Sequence, residues 1–191
     1  MMEKRILIGG SGGQGILFMG KVIASAAMMD GKEVTWFPSY GAEMRCGTAN
    51  CAVVISDERI GSPVFKYADI LVVFTEASLI KFAPRLNKDG YLLYDSSLIS
   101  CNSSVYKGAI GINVTAMARE LGNTKAANMI MLGAAAAITG ILEKEDLLSA
   151  IEGDVSECML QALSINKRAI LKGYETVENQ KGDLFGHRAC T

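Results

Sequence analysis

Six residues near the beginning of the sequence have the spacing of an anion-binding turn. They are Gly10-Ser11-Gly12-Gly13-Gln14-Gly15, and they fit the pattern Gly-x-Gly-x-x-Gly. Where such a turn lies between a strand and a helix, its backbone N–H groups and the positive end of the helix dipole can bind a phosphate. The same glycines could instead serve only to make a tight turn and to let the strand and the helix pack closely. Both interpretations stay open at this point.

A second polar segment, residues 39–48, carries side chains that could contact a ligand or a partner. It follows the second predicted strand, and open α/β sheets bind their ligands at the carboxyl ends of strands. Glu43 and Arg45 are too close in sequence to face each other on a helix, so we expect one to contact a partner while the other holds the loop. The alternative is a solvated charged loop. The candidate residues are Ser39, Tyr40, Gly41, Glu43 and Arg45.

The usual catalytic groups are missing from the sequence. Cys46 beside Arg45 could act as a nucleophile, but the single histidine, His187, is far away in sequence, so an inert cysteine and a surface histidine are favoured. The five cysteines are scattered, without a Cys-x-x-Cys pair, which argues against a zinc site, an iron–sulfur site or a disulfide framework. There is also no Ser–His–Asp set, paired-carboxylate site or Gly-Lys-Ser/Thr loop. We therefore predict no catalytic residue and no metal ligand.

Classical dinucleotide binding is disfavoured by the second predicted strand. A nicotinamide-binding fold places an acidic residue at the end of that strand to bind the ribose. Here the strand runs into Phe37-Pro38-Ser39-Tyr40, with Glu33 before it and Glu43 well beyond it.

The two segments are positioned by a predicted series of alternating strands and helices. A strand at 5–8, a helix that ends at Gly31 and a strand at 34–37, stopped by Pro38, form a β-α-β unit. Apolar and β-branched runs predict further strands at 49–55, 68–74 and 91–94. Helical spacing predicts helices at 76–86, 115–121, 128–138, 145–151 and 157–174. The fold class expected is α/β: a three-layer α/β/α domain with a mostly parallel, Rossmann-like sheet and additional C-terminal helices.

Length and charge limit the class of protein. The 191 residues suit one domain, which we assign to residues 1–179, with 180–191 as a loose tail. A net charge of −1 gives no basic surface for nucleic acid. The longest uncharged stretch, 126–142, is too short and too polar for a membrane span. Because the first residues lack the apolar region of a secretory signal, we expect a cytoplasmic protein.

The motifs in this order resemble the gamma subunit of 2-oxoacid:ferredoxin oxidoreductases, and the resemblance covers almost the whole chain. It is carried by the run 10–16, Pro38-Ser39-Tyr40-Gly41-Ala42-Glu43-Met44-Arg45, Thr48-Ala49-Asn50-Cys51, Asp57-Glu58, Gly61-Ser62-Pro63, the strand at 68–71 and the helix at 128–140.

The resemblance implies a subunit of an enzyme that oxidatively decarboxylates a 2-oxoacid to its acyl-CoA and CO2 and reduces ferredoxin. It places thiamine diphosphate, Mg and the iron–sulfur clusters on partner alpha, beta and ferredoxin-like delta subunits, and no cofactor on this chain. The glycine turn and the 39–45 segment would lie towards the thiamine-binding subunits, and the turn would hold a phosphate of coenzyme A. Among substrates, 2-oxoglutarate is expected ahead of branched-chain 2-oxoacids and pyruvate.

One position departs from the family pattern. The family has Arg-Gly-Gly where this sequence has Arg45-Cys46-Gly47. A cysteine at positive φ would strain the loop by about 1 kcal/mol, so either this position has an ordinary φ or the loop has adjusted.

Two other functions remain compatible with the sequence. One is a free nucleotide- or flavin-binding Rossmann-like protein that uses the same glycine turn, and the other is a purely structural scaffold inside a complex. The apolar helix at 128–138 and the 10 methionines also make a homodimer of the isolated chain an expectation, because surfaces that are meant for partners can associate with each other.

Overall fold

The computed structural model describes residues 2–39, 48–101, 106, 108–153 and 160–179. Most of the second polar segment therefore lies outside the described residues, namely Tyr40, Gly41, Glu43 and Arg45, together with Cys46. The same holds for the predicted tail at 180–191, which includes His187.

The described residues form six strands and six α-helices. The strands are β1 (Glu3–Gly10), β2 (Glu33–Ser39), β3 (Ala49–Ser56), β4 (Ala68–Val73), β5 (Leu86–Asp95) and β6 (Ile110–Ile112). The helices are α1 (Ile16–Met29), α2 (Glu76–Phe82), α3 (Val114–Glu120), α4 (Ala127–Thr139), α5 (Lys144–Glu152) and α6 (Leu160–Asn179), with short 3-10 turns at Ala83–Arg85 and Thr124–Ala126. None of the helices within the described ranges is long and apolar enough to cross a membrane.

All six strands belong to one sheet in the order β2-β3-β1-β4-β5-β6. The pairs β1–β4, β4–β5 and β5–β6 are parallel, whereas β3 is antiparallel to both of its neighbours. The predicted α/β class with a mostly parallel sheet is confirmed. The strands of the predicted β-α-β unit are not adjacent, however, because β3 lies between them. β3 is buried along almost its whole length and suits an interior position, while the half-exposed β2 suits an edge.

The prediction that Pro38 stops the second strand is wrong. β2 continues through Pro38 to Ser39, and Pro38 is paired with Cys51 of β3. Proline has no N–H to donate, but an edge strand tolerates it because one side of the strand has no partner in the sheet.

The two faces of the sheet pack against different helices. Side chains alternate along β1, so that Ile6 and Ile8 pack with α1, α3, α4, α5 and α6, while Leu7 packs with α2 on the opposite face. The predicted three layers are therefore present, and the layer formed by α2 is the thinner one.

The helix predicted at 128–138 is α4, and it is buried along most of its length. It ends at Gly140, whose φ of 62° lies in the left-handed region, as expected for a helix stop. A β-carbon at Gly133 would overlap the backbone carbonyl of Ile170 in α6, and one at Gly173 would overlap that of Ile130. The two helices therefore cross backbone to backbone.

Candidate functional site

The glycine run forms a tight turn between β1 and α1, as the sequence predicts. The Ser11 N–H donates to Gln14 Oε1 at 2.7 Å, and the Gln14 N–H donates to the Ser11 carbonyl at 3.3 Å. Gly13 and Gly15 have φ values of 86° and 72°, which a residue with a side chain rarely adopts. The Gln14 side chain thus closes the turn, and the two glycines allow its backbone path.

The turn presents open backbone to its surroundings. Nothing lies within 4 Å of a β-carbon built at Gly12 or Gly13. The N-cap residue of α1 is Gly15, and no side chain caps the first N–H groups of that helix. Free N–H groups at a helix start carry partial positive charge, so this arrangement suits an anion.

An open cleft of about 360 Å³ adjoins the turn at the carboxyl ends of the strands. Four parts of its lining follow strand ends: the glycine turn follows β1, Phe74 follows β4, Leu98 follows β5 and Thr115 follows β6. The charged residue in the lining is Lys125, which adds to the preference for an anion. The full lining consists of Gly12, Gly13, Gln14, Phe74, Leu98, Thr115, Thr124, Lys125 and Ala127.

Two buried polar residues that sequence reasoning missed make hydrogen bonds to residues in or next to the lining of this cleft. Asn128 donates through Nδ2 to the carbonyl of Gly15 at 3.0 Å. Asp95, at the end of β5, accepts from Thr115 Oγ1 at 2.5 Å and from the Ser97 N–H at 3.0 Å. Asp95 could have been found as an acidic residue at a strand end, and Asn128 as the polar residue in an otherwise apolar helix.

The second predicted segment begins and ends beside the glycine turn. In the sheet, Ser39 is paired with Asn50, Asn50 with Gly9, and Ala49 with Gly10. The structure therefore brings Ser39 and the glycine turn to the same end of the sheet, where β1 and β2 have their carboxyl ends. Ala49 lies there as well, so the described strand residues that flank positions 40–47 are both at this end of the sheet.

Cysteine chemistry is not available at Cys51, although this residue lies close to the start of α1. Its side chain is fully buried, and burial raises the pKa of the thiol to about 12. Across the described ranges, no group of three or more His, Cys, Asp or Glu side chains has the arrangement of a metal site.

Comparison with known proteins identifies the chain's relatives. A family model described as "Pyruvate ferredoxin/flavodoxin oxidoreductase" matches residues 5–176. The chain belongs to this family. The resemblance inferred from the glycine turn and the 38–51 motifs is confirmed.

Relatives of known designation differ in length. The ketoisovalerate oxidoreductase subunit VorA of Methanothermobacter thermautotrophicus is 39% identical over 95% of this chain, which spans 38% of that protein. For VorA of Methanothermobacter marburgensis the corresponding share is 31%. The 2-oxoglutarate synthase subunit KorC of Methanocaldococcus jannaschii is 35% identical, and the match covers 93% of this chain and 95% of KorC. The chain therefore spans about a third of the VorA proteins and nearly all of KorC.

Solved structures share the fold. The keto/oxoacid ferredoxin oxidoreductase gamma subunit from Geobacter sulfurreducens superposes with a TM-score of 0.76 at 30% identity, covering 92% of this chain and 99% of that one. The 2-oxoglutarate:ferredoxin oxidoreductase from Magnetococcus marinus gives a TM-score of 0.83 at 22% identity, over 94% of this chain and 32% of the larger one. The second likeness concerns the fold alone.

Proposed function

We propose that this chain is the gamma-type subunit of a multi-subunit 2-oxoacid:ferredoxin oxidoreductase. The enzyme would oxidatively decarboxylate a 2-oxoacid, transfer the acyl group to coenzyme A, release CO2 and pass the electrons to ferredoxin. The observation that carries the proposal is the family match over residues 5–176, supported by the KorC relative, 95% of which is covered by its match to this chain. The fold and its open glycine turn are compatible with a subunit that completes a site shared with other chains.

The redox and thiamine chemistry is assigned to companion chains. Because the five cysteines are scattered along the sequence, we expect the iron–sulfur clusters on other subunits. Thiamine diphosphate and Mg are likewise expected on the alpha and beta subunits, with a ferredoxin-like delta subunit as the electron carrier within the complex. We expect the complex in the cytoplasm, and the isolated chain as a homodimer.

Within the complex, the glycine turn would bind a phosphate of coenzyme A. The positive φ of Gly13 and Gly15, the uncapped start of α1 and the nearby Lys125 support an anion at this position. Ser39 lies at the same edge, and we assign Tyr40, Gly41, Glu43 and Arg45 to the surface that faces the thiamine-binding subunits. This chain would thus bind and orient coenzyme A, while the reacting 2-oxoacid is held elsewhere.

The proposed substrate is a 2-oxoacid, and an activity assay must determine which side chain the 2-oxoacid carries. Relatives named for ketoisovalerate, 2-oxoglutarate and pyruvate are 39%, 35% and 27% identical to this chain. The preference for 2-oxoglutarate expected from the resemblance therefore stays a prediction, with ketoisovalerate as its first competitor.

The first experiment is affinity capture of the tagged chain from its native lysate under anaerobic conditions. The captured material is assayed for reduction of a low-potential dye with each of these 2-oxoacids, with and without coenzyme A. We expect co-purified thiamine- and cluster-containing chains and activity that requires coenzyme A. A chain that is captured alone, is inactive and carries a nucleotide or flavin would favour the Rossmann-like alternative.

Variants of the captured complex test the assignment of the two segments. Gly13→Val forces a side chain into a φ of 86°, and Arg45→Ala removes a charge from the second segment. We expect both to impair turnover, whereas Gly61→Ala, at a position with open space around it, serves as the control. Normal turnover in both variants would remove the functional role of these segments. A large loss of thermal stability in the isolated Gly13→Val chain would favour a packing role.

A further inference from the structure

Asn128 is a buried polar residue at the start of an apolar helix. It is 3% exposed, and both ends of its amide are bonded. Nδ2 donates to the Gly15 carbonyl at 3.0 Å, and Oδ1 accepts from the Met129 N–H at 2.9 Å. A buried amide costs free energy unless its hydrogen bonds are made, and an apolar side chain would suffice for packing here. The amide therefore calls for an explanation beyond packing.

Gly15 is shaped to receive this side chain. A β-carbon at Gly15 would overlap the Asn128 amide, so the contact requires a glycine at this position. The positive φ of Gly15 is a second reason for glycine here. The Gly15 carbonyl also accepts from the Met19 N–H at 2.9 Å, which is the first hydrogen bond of α1. Asn128 thus bonds to the group at which the helix begins, 113 residues away in the sequence.

The two partners of this bond each come directly after residues that line the cleft. Gly13 and Gln14, which precede Gly15, belong to the lining, and so do Thr124, Lys125 and Ala127, which precede Asn128 and form what we call the Thr124–Ala127 wall. The bond between Asn128 and Gly15 is therefore a direct polar link between the turn and the Thr124–Ala127 wall.

We propose that Asn128 is the positioning residue that sets the glycine turn against the Thr124–Ala127 wall and so fixes the geometry of the cleft for its anion. The role of that anion as coenzyme A rests on the proposed function. The link itself depends only on the contacts within this chain.

Two substitutions remove the donor in different ways. Asn128→Asp keeps the size of the side chain and the acceptor for Met129, but it places an acceptor against the Gly15 carbonyl. Asn128→Leu removes the donor without adding charge. The matched control is Asn123→Asp, because Asn123 acts as an acceptor from the Lys125 N–H, at 3.0 Å, and a carboxylate can accept the same bond. This control also introduces a negative charge near the same wall.

The measurements are amide hydrogen exchange of residues 10–16 in the full chain and steady-state kinetics of the assembled enzyme. We expect both Asn128 variants to exchange about tenfold faster in the turn and to raise the KM for coenzyme A about tenfold. The kcat and the KM for the 2-oxoacid should stay unchanged. In Asn123→Asp the turn should exchange at the wild-type rate, and any rise in the KM for coenzyme A in this control measures the effect of added charge alone.

The other outcomes separate two claims: that Asn128 positions the turn, and that the turn binds coenzyme A. Faster exchange in the turn with an unchanged KM for coenzyme A would support the positioning role of Asn128 and refute the proposed role of the turn in coenzyme A binding. Unchanged exchange in the turn would overturn the positioning role. A lower kcat and a higher KM for both substrates, together with a loss of thermal stability, would also overturn it. Asn128 would then be a purely structural residue.

Discussion

At the scale of single residues, Cys51 shows how the packing of α1 onto the sheet controls side-chain chemistry. Its thiol donates to the Ile16 carbonyl at 3.5 Å, and Trp36 of the edge strand lies beside it over Gly20. Burial raises the pKa of the thiol to about 12, and hydrogen bonding to Trp36 and to the Gly20 backbone offsets only part of this effect. Cys51 is therefore a small apolar core residue rather than a nucleophile.

This shift predicts a loss of stability at alkaline pH. In the unfolded chain the thiol ionises near its ordinary pKa of 9.0, whereas in the folded chain its pKa is raised to about 12. Stability is therefore full below about pH 9 and falls as the pH rises through this window, because the unfolded state alone releases the proton. Between pH 8 and pH 10.5 the ionisation of Cys51 should lower the free energy of unfolding by about 2 kcal/mol.

Urea denaturation of the wild type and of Cys51→Ala at the two pH values measures this contribution. The variant should be less stable at pH 8 because of the lost packing, but it should lose less stability on going to pH 10.5. Burial also raises the pKa of Tyr174, and that effect is common to both proteins. Equal losses in the two proteins would show that the Cys51 thiol ionises as readily in the folded state.

The residues that form the site were predictable where their role is local. The glycine spacing alone indicates the turn, because Gly13 and Gly15 are required by its backbone angles. Asn128 and Asp95 were not found, because each acts through a contact with a distant part of the chain. A single sequence does not say which buried polar residue meets which turn.

At the scale of elements, the crossing of α4 and α6 depends on two glycines. Gly133 and Gly173 each allow the backbone of the other helix to approach within the volume of a β-carbon. Gly133→Ala should gain about 1 kcal/mol of helix propensity. It should nevertheless destabilise the chain by a net 1–3 kcal/mol, roughly, because a carbonyl of α6 must move away.

A double-mutant cycle tests this prediction. Since either alanine forces the helices apart, Gly133→Ala and Gly173→Ala together should cost clearly less than the sum of the two single changes. The free energies of unfolding from urea denaturation give the coupling. Additive effects, or a stabilised Gly133→Ala variant, would contradict the backbone-to-backbone crossing.

The order of elements along the chain was predictable, but the order of strands in the sheet was not. Apolar runs and glycine stops place β1, β3, β4, α4 and α5 to within a few residues. The position of β3 between β1 and β2 follows from long-range pairing, which periodicity does not report. β6 has three residues, Ile110–Ile112, too few to show an alternating pattern. The strand stop predicted at Pro38 was wrong because an edge strand tolerates the missing N–H of proline.

At the scale of the whole molecule, the sheet separates two cores of unequal extent. One face is covered by α1, α3, α4, α5 and α6, with Met129, Ile130 and Met131 fully buried among them. The other face is covered mainly by the seven-residue helix α2, through Leu79 and Phe82. The glycine turn and the cleft lie at the end of the sheet, where the two layers meet.

This asymmetry predicts that the α2 layer opens before the rest of the molecule unfolds. α2 is short and is held by its Thr75 cap, with the Ser78 N–H donating to Thr75 Oγ1 at 3.2 Å, and by one side of a small core. α4 is packed against both the sheet and α6, so its amides should exchange only through global unfolding. We expect the opening free energy of the Leu79 and Phe82 amides to be lower than that of the Ile130 and Met131 amides by about 2 kcal/mol or more.

Native-state hydrogen exchange of the full chain at increasing, sub-denaturing urea concentrations distinguishes the two behaviours. The α2 amides should show a smaller dependence on urea than the α4 amides, because a local opening exposes less surface. Thr75→Ala, which removes the cap, should lower the opening free energy of α2 by about 1 kcal/mol and lower global stability by less. Equal free energies and equal urea dependences for both helices would mean that the two cores unfold as one cooperative unit. In that case a disturbance of the α2 layer would reach the glycine turn, since the N–H of Phe74, two residues before α2 in the chain, donates to the Gly9 carbonyl at 2.9 Å.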